Sequence, residues 1–160
     1  MRLKKMFEAQ AELANKIFIK HHLRNNKGHQ LNIESIFYEA KDLKHGANDL
    51  PCIWIKKMLE CIRAEINEAD AMLPWKHWAK DKIGEKEFPF LDQRARLKML
   101  QVELVDIWHF LMEAMVCAGM TQADLYHLYF KKHEVNIKRQ NNGYNTTKKT
   151  EADNEEIATN

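Results

Sequence analysis

Four acidic residues occur as two pairs with the same internal spacing: Glu65 and Glu68 stand three apart, and so do Glu103 and Asp106. On an α-helix that spacing puts both members of a pair on one face. At about 100° per residue, the second pair shares its face with Met99, Ile107, Phe110, Ala114 and Cys117. The first pair shares its face with Trp54, Met58, Cys61, Ile62, Ala69 and Met72. Both pairs are therefore expected inside apolar stripes, whereas Glu60 and Asp70 point away and read as solvated acids. An unpaired buried carboxylate is costly or takes up a proton, so such pairs need a compensating charge. Two E-x-x-[ED] faces could place four oxygen ligands around a hard cation such as Mg²⁺. The competing reading is a boundary salt bridge to Lys or Arg for each pair, and spacing alone leaves both open.

A second constellation lies near the C-terminus, in KKHEVNIKRQNNGY (131–144). Lys132, Asn136 and Arg139 fall within about 60° of one another on a helix. Arg offers a planar fork and Lys a point charge, so with the amide between them they could cradle a phosphate. The alternative is a basic helix end complementing the helix dipole. The cluster is small and lacks interleaved aromatics, which argues against a nucleic-acid partner.

The elements that must position these residues read as helices throughout. Residues 2–24 form a first helix with Leu3, Phe7, Leu13, Ile17 and Phe18 as apolar positions and Gln10 beside them, followed by a loop at 25–29. A second helix is expected over 33–44, with Asn32 as N-cap and Gly46 as stop. Pro51 suits the first turn of the Glu65/Glu68 helix, which runs to 72 and is ended by Pro74. A short helical turn is expected at 75–81 and a loop at 83–90. The Glu103/Asp106 helix spans 94–117, with Leu97, Leu100, Leu104, Ile107 and Leu111 at steps of three and four, and stops near Gly119. Thr121-x-x-Asp124 is a capping signature for a last helix over 122–141, closed by Gly143. No segment alternates in the manner of a strand. Residues 146–160 are polar, lack large apolar anchors, and read as a disordered tail.

Composition agrees with an all-α bundle of about five helices: eight Met, five Gly and only three Pro. At 160 residues the chain suits one domain over 1–145 plus the tail. A net charge of +2 is too small for a general nucleic-acid or membrane binder. No run of about 18 apolar residues and no signal-peptide core is present, so a soluble, cytoplasmic protein is expected. Three cysteines without a C-x-x-C (Cys52, Cys61, Cys117) suit free thiols and argue against zinc.

Taken together, these residues resemble the dimeric, all-α dUTPase family, and within it the bacteriophage dCTPase–dUTPase branch. ELVDIWHF (103–110) is similar to that branch's E-L-V-D-[IG]-x-H-F, and residues 131–144 to its K-x-x-x-N-x-x-R-Q-x-x-G-Y. With Glu65-Ile-Asn-Glu68 and the WKHW turn (75–78), the likeness covers roughly residues 54–144. The resemblance implies metal ligands at Glu65, Glu68, Glu103 and Asp106, and phosphate contacts at Lys132, Asn136, Arg139 and Tyr144. It further implies base or sugar contacts at Gln10, Lys76 and Trp78. Many members carry Asn or Asp four residues after that Gln, where this chain has Ala14 and then Asn15. The implied activity is Mg²⁺-dependent hydrolysis of dUTP, with dCTP as a second substrate, to the monophosphate and pyrophosphate, usually by a homodimer. Mn²⁺ is the implied substitute ion, and Glu65 or Glu68 the implied proton acceptor. Three alternatives compete: a MazG-like pyrophosphohydrolase of broader specificity, a non-catalytic helical binding module, and a di-iron bundle. The last wants Glu-x-x-His twice, and this chain approaches it only with Asp106-x-x-His109.

Overall fold

The computed structural model describes residues 2–41, 49–73, 93–141 and 157. Five helices account for most of these residues: α1 (Arg2–Lys20), α2 (Ile33–Lys41), α3 (Leu50–Ala71), α4 (Gln93–Cys117) and α5 (Gln122–Asn141). The fold is all-α, and the β element among the described residues is an isolated antiparallel bridge between Arg24 and Gln30 in the 21–32 loop. The chain divides into two compact units, Met1–Gly119 with α1 to α4 and Met120–Asn160 with α5. Gly46, Pro74, Trp75, Lys76, Trp78, the 83–90 loop, Gly143, Tyr144 and nearly all of the 146–160 tail lie outside the described residues.

In the first unit α4 touches α1, α2 and α3, and its contact with α3 is the most extensive of any helix pair. The core is apolar and includes a tilted pair, Phe18 and Trp54, with ring centroids 4.8 Å apart. Phe18, Ile33, Ile36, Met112 and Cys117 are fully buried around it. Each large apolar side chain of this kind contributes roughly 1.5–3 kcal/mol by leaving water.

The buried face of α1 differs from the sequence expectation. It consists of Phe7, Gln10, Ala14 and Phe18, while Leu13 and Ile17 are 44% and 42% exposed. Leu13 lies about 120° around the helix from Phe7, off the stripe, while Ile17, about 20° beyond Gln10, sits at its edge. Gln10 takes the place of an apolar residue because its amide finds partners on α4. Leu97 and Leu104 of α4 are likewise 56% and 53% exposed, outside the core.

Helix α1 also ends four residues early. After Lys20 the backbone turns through His22, whose φ is 53°, and Gln30 Nε2 donates to the carbonyls of Phe18 (3.1 Å) and Leu23 (2.9 Å). The Asn25 side chain accepts from the backbone N–H groups of Lys27 and His29, both at 3.0 Å, which closes the loop. Asn32 caps α2, accepting from Ser35 N at 2.7 Å. Asn15 also serves this helix start, accepting from Ile33 N at 2.8 Å and donating to the Glu34 carboxylate at 3.0 and 3.2 Å. Gly119 closes α4 with φ 73°, and a Cβ there would stand 3.3 Å from Lys41 Cγ.

In the second unit, Thr121 and Asp124 form the expected capping box. Asp124 Oδ2 accepts from Thr121 N at 2.7 Å, and Thr121 Oγ1 accepts from Asp124 N at 3.2 Å. Helix α5 buries none of its residues fully. Tyr126, Tyr129 and Phe130 form an exposed aromatic patch along it.

Candidate active site

The side-by-side packing of α3 and α4 turns their acidic faces toward each other. Ligand oxygens of Glu65, Glu68 and Glu103 all lie within 4.8 Å of one another. Asp106, one turn further along α4, stands outside this triad but close enough for its charge to act on Glu65. The acids occupy the margin of the interface: Glu65, Glu103 and Asp106 are half-buried and Glu68 is exposed. Of the apolar residues expected on the same helix faces, Trp54, Met58, Ala69, Met72, Ala114 and Cys117 are buried.

Among the described residues, neither of the two ion pairs involves these four acids; both pairs are within α1. The boundary salt-bridge reading of the sequence therefore finds no support there. Like charges crowd one another instead. Desolvation, the charges of Glu68, Asp106 and Glu103, and a hydrogen bond shared with Glu103 together raise the Glu65 carboxyl above its ordinary value. A divalent cation would relieve that repulsion, and a set of carboxylate oxygens is the hard donor set that Mg²⁺ or Mn²⁺ takes.

Further along α4 lies a polar cluster of which the sequence pointed only to Gln10, as a base contact. Glu113 of α4 is only 5% exposed, and Gln10 of α1 only 4%. Gln10 Nε2 donates to Glu113 Oε2 at 2.9 Å, and Gln10 Oε1 lies 2.7 Å from His109 Nδ1. Burial raises the Glu113 pKa, and the Gln10 hydrogen bond partly opposes the rise. Glu113 in turn acts on the two thiols of the interface. Burial first and then Glu113 push Cys117 up to about 12. Burial, Glu113, Glu65 and Glu60 raise Cys61. Both thiols are therefore held protonated, which suits neither a nucleophile nor a metal ligand.

Of the residues expected to contact base or sugar, Gln10 is thus buried with both ends of its amide engaged. It could meet a ligand only through its second N–H or its remaining lone pair. Lys76 and Trp78 lie outside the described residues, as does Tyr144. Asn15 is committed to the start of α2. On α5, Lys132 and Arg139 are half-buried and Asn136 is exposed. These three belong to the second unit.

One signal in the sequence could have exposed Glu113. It is the only charged residue in IWHFLMEAMVCAGM (107–120), an apolar run that also carries His109. A lone acid in such a run requires a partner from another element.

Comparison with known proteins finds two overlapping matches to the model of the dUTPase family, over residues 2–118 and 111–144. A dCTP pyrophosphatase of Enterobacteria phage T4 is 30% identical over 105 residues, 57% of this chain and 61% of that protein. A dCTP pyrophosphatase of Enterobacteria phage LZ5 is 32% identical over 79 residues, 48% of this chain and 45% of that protein. A DNA replication protein of phage T4 is 29% identical over 101 residues, 53% of this chain and 26% of that protein. The chain thus spans about three fifths or less of the length of the curated relatives it matches. No solved structure matches. With the family match running through the E-x-x-E helix, the E-x-x-D helix and the final basic helix, the chain belongs to the dUTPase family.

Proposed function

We propose that this protein hydrolyses the deoxypyrimidine triphosphates dUTP and dCTP to the nucleoside monophosphate and pyrophosphate in the cytoplasm, with Mg²⁺ as the working ion. The observation that carries the reading is the convergence of Glu65, Glu68 and Glu103 across α3 and α4 in a chain of the dUTPase family. The phage relatives are named for dCTP, which supports dCTP beside the dUTP of the family name. Mn²⁺ would substitute, since it accepts the same oxygen donors.

Glu65, Glu68, Glu103 and Asp106 would hold the ion. Bound there, it would neutralise charge on the phosphates and make water a stronger nucleophile. Glu65 or Glu68 would take the proton of the attacking water. Lys132, Asn136, Arg139 and Tyr144 would hold the phosphates in line, with Asn136 bonding the sugar-phosphate. Gln10, Lys76 and Trp78 would contact base and sugar. In this reading residues 1–145 act as one domain and the protein works as a homodimer.

A panel of nucleoside triphosphates in millimolar Mg²⁺, scored for pyrophosphate against orthophosphate, tests the proposal. Pyrophosphate from dUTP and dCTP alone is expected. Equal turnover of purine triphosphates would instead favour a MazG-like pyrophosphohydrolase. Inactivity toward dUTP and dCTP would overturn the reading.

A further inference from the structure

The buried polar cluster has a polarity that its hydrogen bonds fix. Gln10 Nε2 donates to Glu113 Oε2 at 2.9 Å, and with Glu113 ionised this polarity is fixed, since a carboxylate in that form only accepts. The opposite end, the carbonyl Oε1, then faces His109 Nδ1 at 2.7 Å. A carbonyl oxygen accepts and cannot donate, so His109 must carry a proton on Nδ1. In the neutral ring Nε2 is then a lone-pair acceptor. The choice of amide orientation and ring tautomer, ordinarily ambiguous, follows from ionised Glu113 as the one acceptor-only group.

We propose that Glu113 is a positioning residue for the adjacent site: through Gln10 it holds His109 in the Nδ1–H tautomer. His109 stands three residues after Asp106, so the imidazole lies about one turn from that carboxylate and about 60° around α4 from it. It is half-buried, whereas Glu113 and Gln10 are buried. The polarity is thus set in the dry interior and delivered at the margin, where the acids meet solvent. Glu113 touches no reacting group itself. A neutral core residue at position 113 would satisfy packing equally well but would leave the Gln10 amide free to turn over.

The consequence for the reaction rests on the function proposed above, but the tautomer does not, so the two are tested separately. The ¹⁵N chemical shifts and long-range ¹H–¹⁵N couplings of the His109 ring report its tautomer directly. They are measured in ¹⁵N-histidine protein at about pH 8, above the range where histidine side chains ordinarily titrate. Loss of the signal in His109→Asn assigns it. The wild-type protein is expected to show Nδ1–H, and a ring protonated on Nε2 alone would overturn the proposal with no variant needed.

Glu113→Gln offers both a donor and an acceptor and is nearly isosteric. It should give a mixture in which Nε2–H appears, with the helical circular dichroism retained. Its kcat/KM for dCTP and dUTP should fall about 10- to 100-fold, the usual effect of removing a group that orients a site residue. The Mg²⁺ concentration for half-maximal rate should not move. A folded Glu113→Gln protein that keeps pure Nδ1–H, or that changes tautomer without loss of kcat/KM, would overturn the proposal. If the wild type turns over neither nucleotide, the substrate reading falls and the NMR result alone decides the role of Glu113.

Discussion

Carboxylates that share one small volume are held there against their own repulsion, and that gives the metal-free site a definite pH signature. The folded-state pKa of Glu65 lies above its ordinary 4.5, raised by burial and by Glu68, Asp106 and Glu103. The folded state therefore binds a proton at Glu65 more tightly than the unfolded chain does. A raised value contributes stability that is fully present below 4.5 and is lost as pH rises through the folded pKa. Glu113, raised by burial, has the same sign. Without Mg²⁺, the Tm should therefore fall as pH climbs from 4.5 through the values of these two groups, and Glu65→Gln should flatten the fall. Millimolar Mg²⁺ should restore Tm above that window by binding the folded state. A wild-type Tm unaffected by Mg²⁺ near neutral pH would count against the cation site. Glu103→Gln and Asp106→Asn test the same residues through the rate. Each should cut turnover at least about 100-fold, by loss of several kcal/mol of charge stabilisation, while leaving the metal-free fold as stable or firmer. Near-wild-type activity in either would remove that ligand from the site. At this scale the two acid pairs were legible because both partners of a pair lie on one helix at one fixed spacing. The Gln10–Glu113 bond was not, because its ends are 103 residues apart and only the packing of α1 on α4 joins them.

The helices were legible where a terminus announces itself chemically. Asn32, Thr121 with Asp124, and Gly119 all sit at the ends their side chains or backbone freedom favour. The rotational setting of α1 was not legible, because Gln10 and Ala14 face the core while Leu13 and Ile17 do not. A polar amide in place of an apolar residue defeats any count of hydrophobic positions, and only its partners on α4 explain it. Helix α5 carries the test that separates binding from the carboxylates. If Lys132, Asn136 and Arg139 hold phosphate, Arg139→Ala should lower kcat/KM by about 30- to 1,000-fold, since charge-assisted contacts to a phosphoryl group are worth ~2–4 kcal/mol in the transition state. A helix-end Arg that merely complements the dipole is worth ~0.3–1 kcal/mol, in stability alone. Arg139→Lys should fail to rescue, because an ammonium lacks the two-pronged fork. Cutting the chain after Asn145 should leave the rate unchanged. Full kcat/KM in Arg139→Ala would assign the helix end to stability and leave the site without this clamp.

At the scale of the whole molecule, several large apolar side chains among the described residues are exposed. Leu97 and Leu104 lie within about 20° of each other on α4, at 56% and 53% exposure, with Val105 at 52% nearby. On α5, Tyr126 and Tyr129 are 57% and 61% exposed and Phe130 is 46% exposed. Single exposed apolar residues are ordinary, but rows of them at helical spacing on two helices would be costly in water. A second copy of the chain is the partner the homodimer reading supplies, and it would cover the same rows on both protomers at once. A stable interface buries about 1,600 Å² in total, and either row could form part of one. Light scattering at micromolar concentration should therefore give twice the 19.0 kDa chain mass. Leu104→Glu should shift the mass toward one chain, since it puts a charge in the α4 row, about 100° around the helix from Glu103 and about 160° from Asp106. If Leu104→Glu is monomeric yet keeps full activity, each active site is complete within one chain. If it loses activity with the dimer, assembly is part of the site. A wild-type protein that scatters as a single 19.0 kDa chain would rule out the homodimer and leave these rows to another partner.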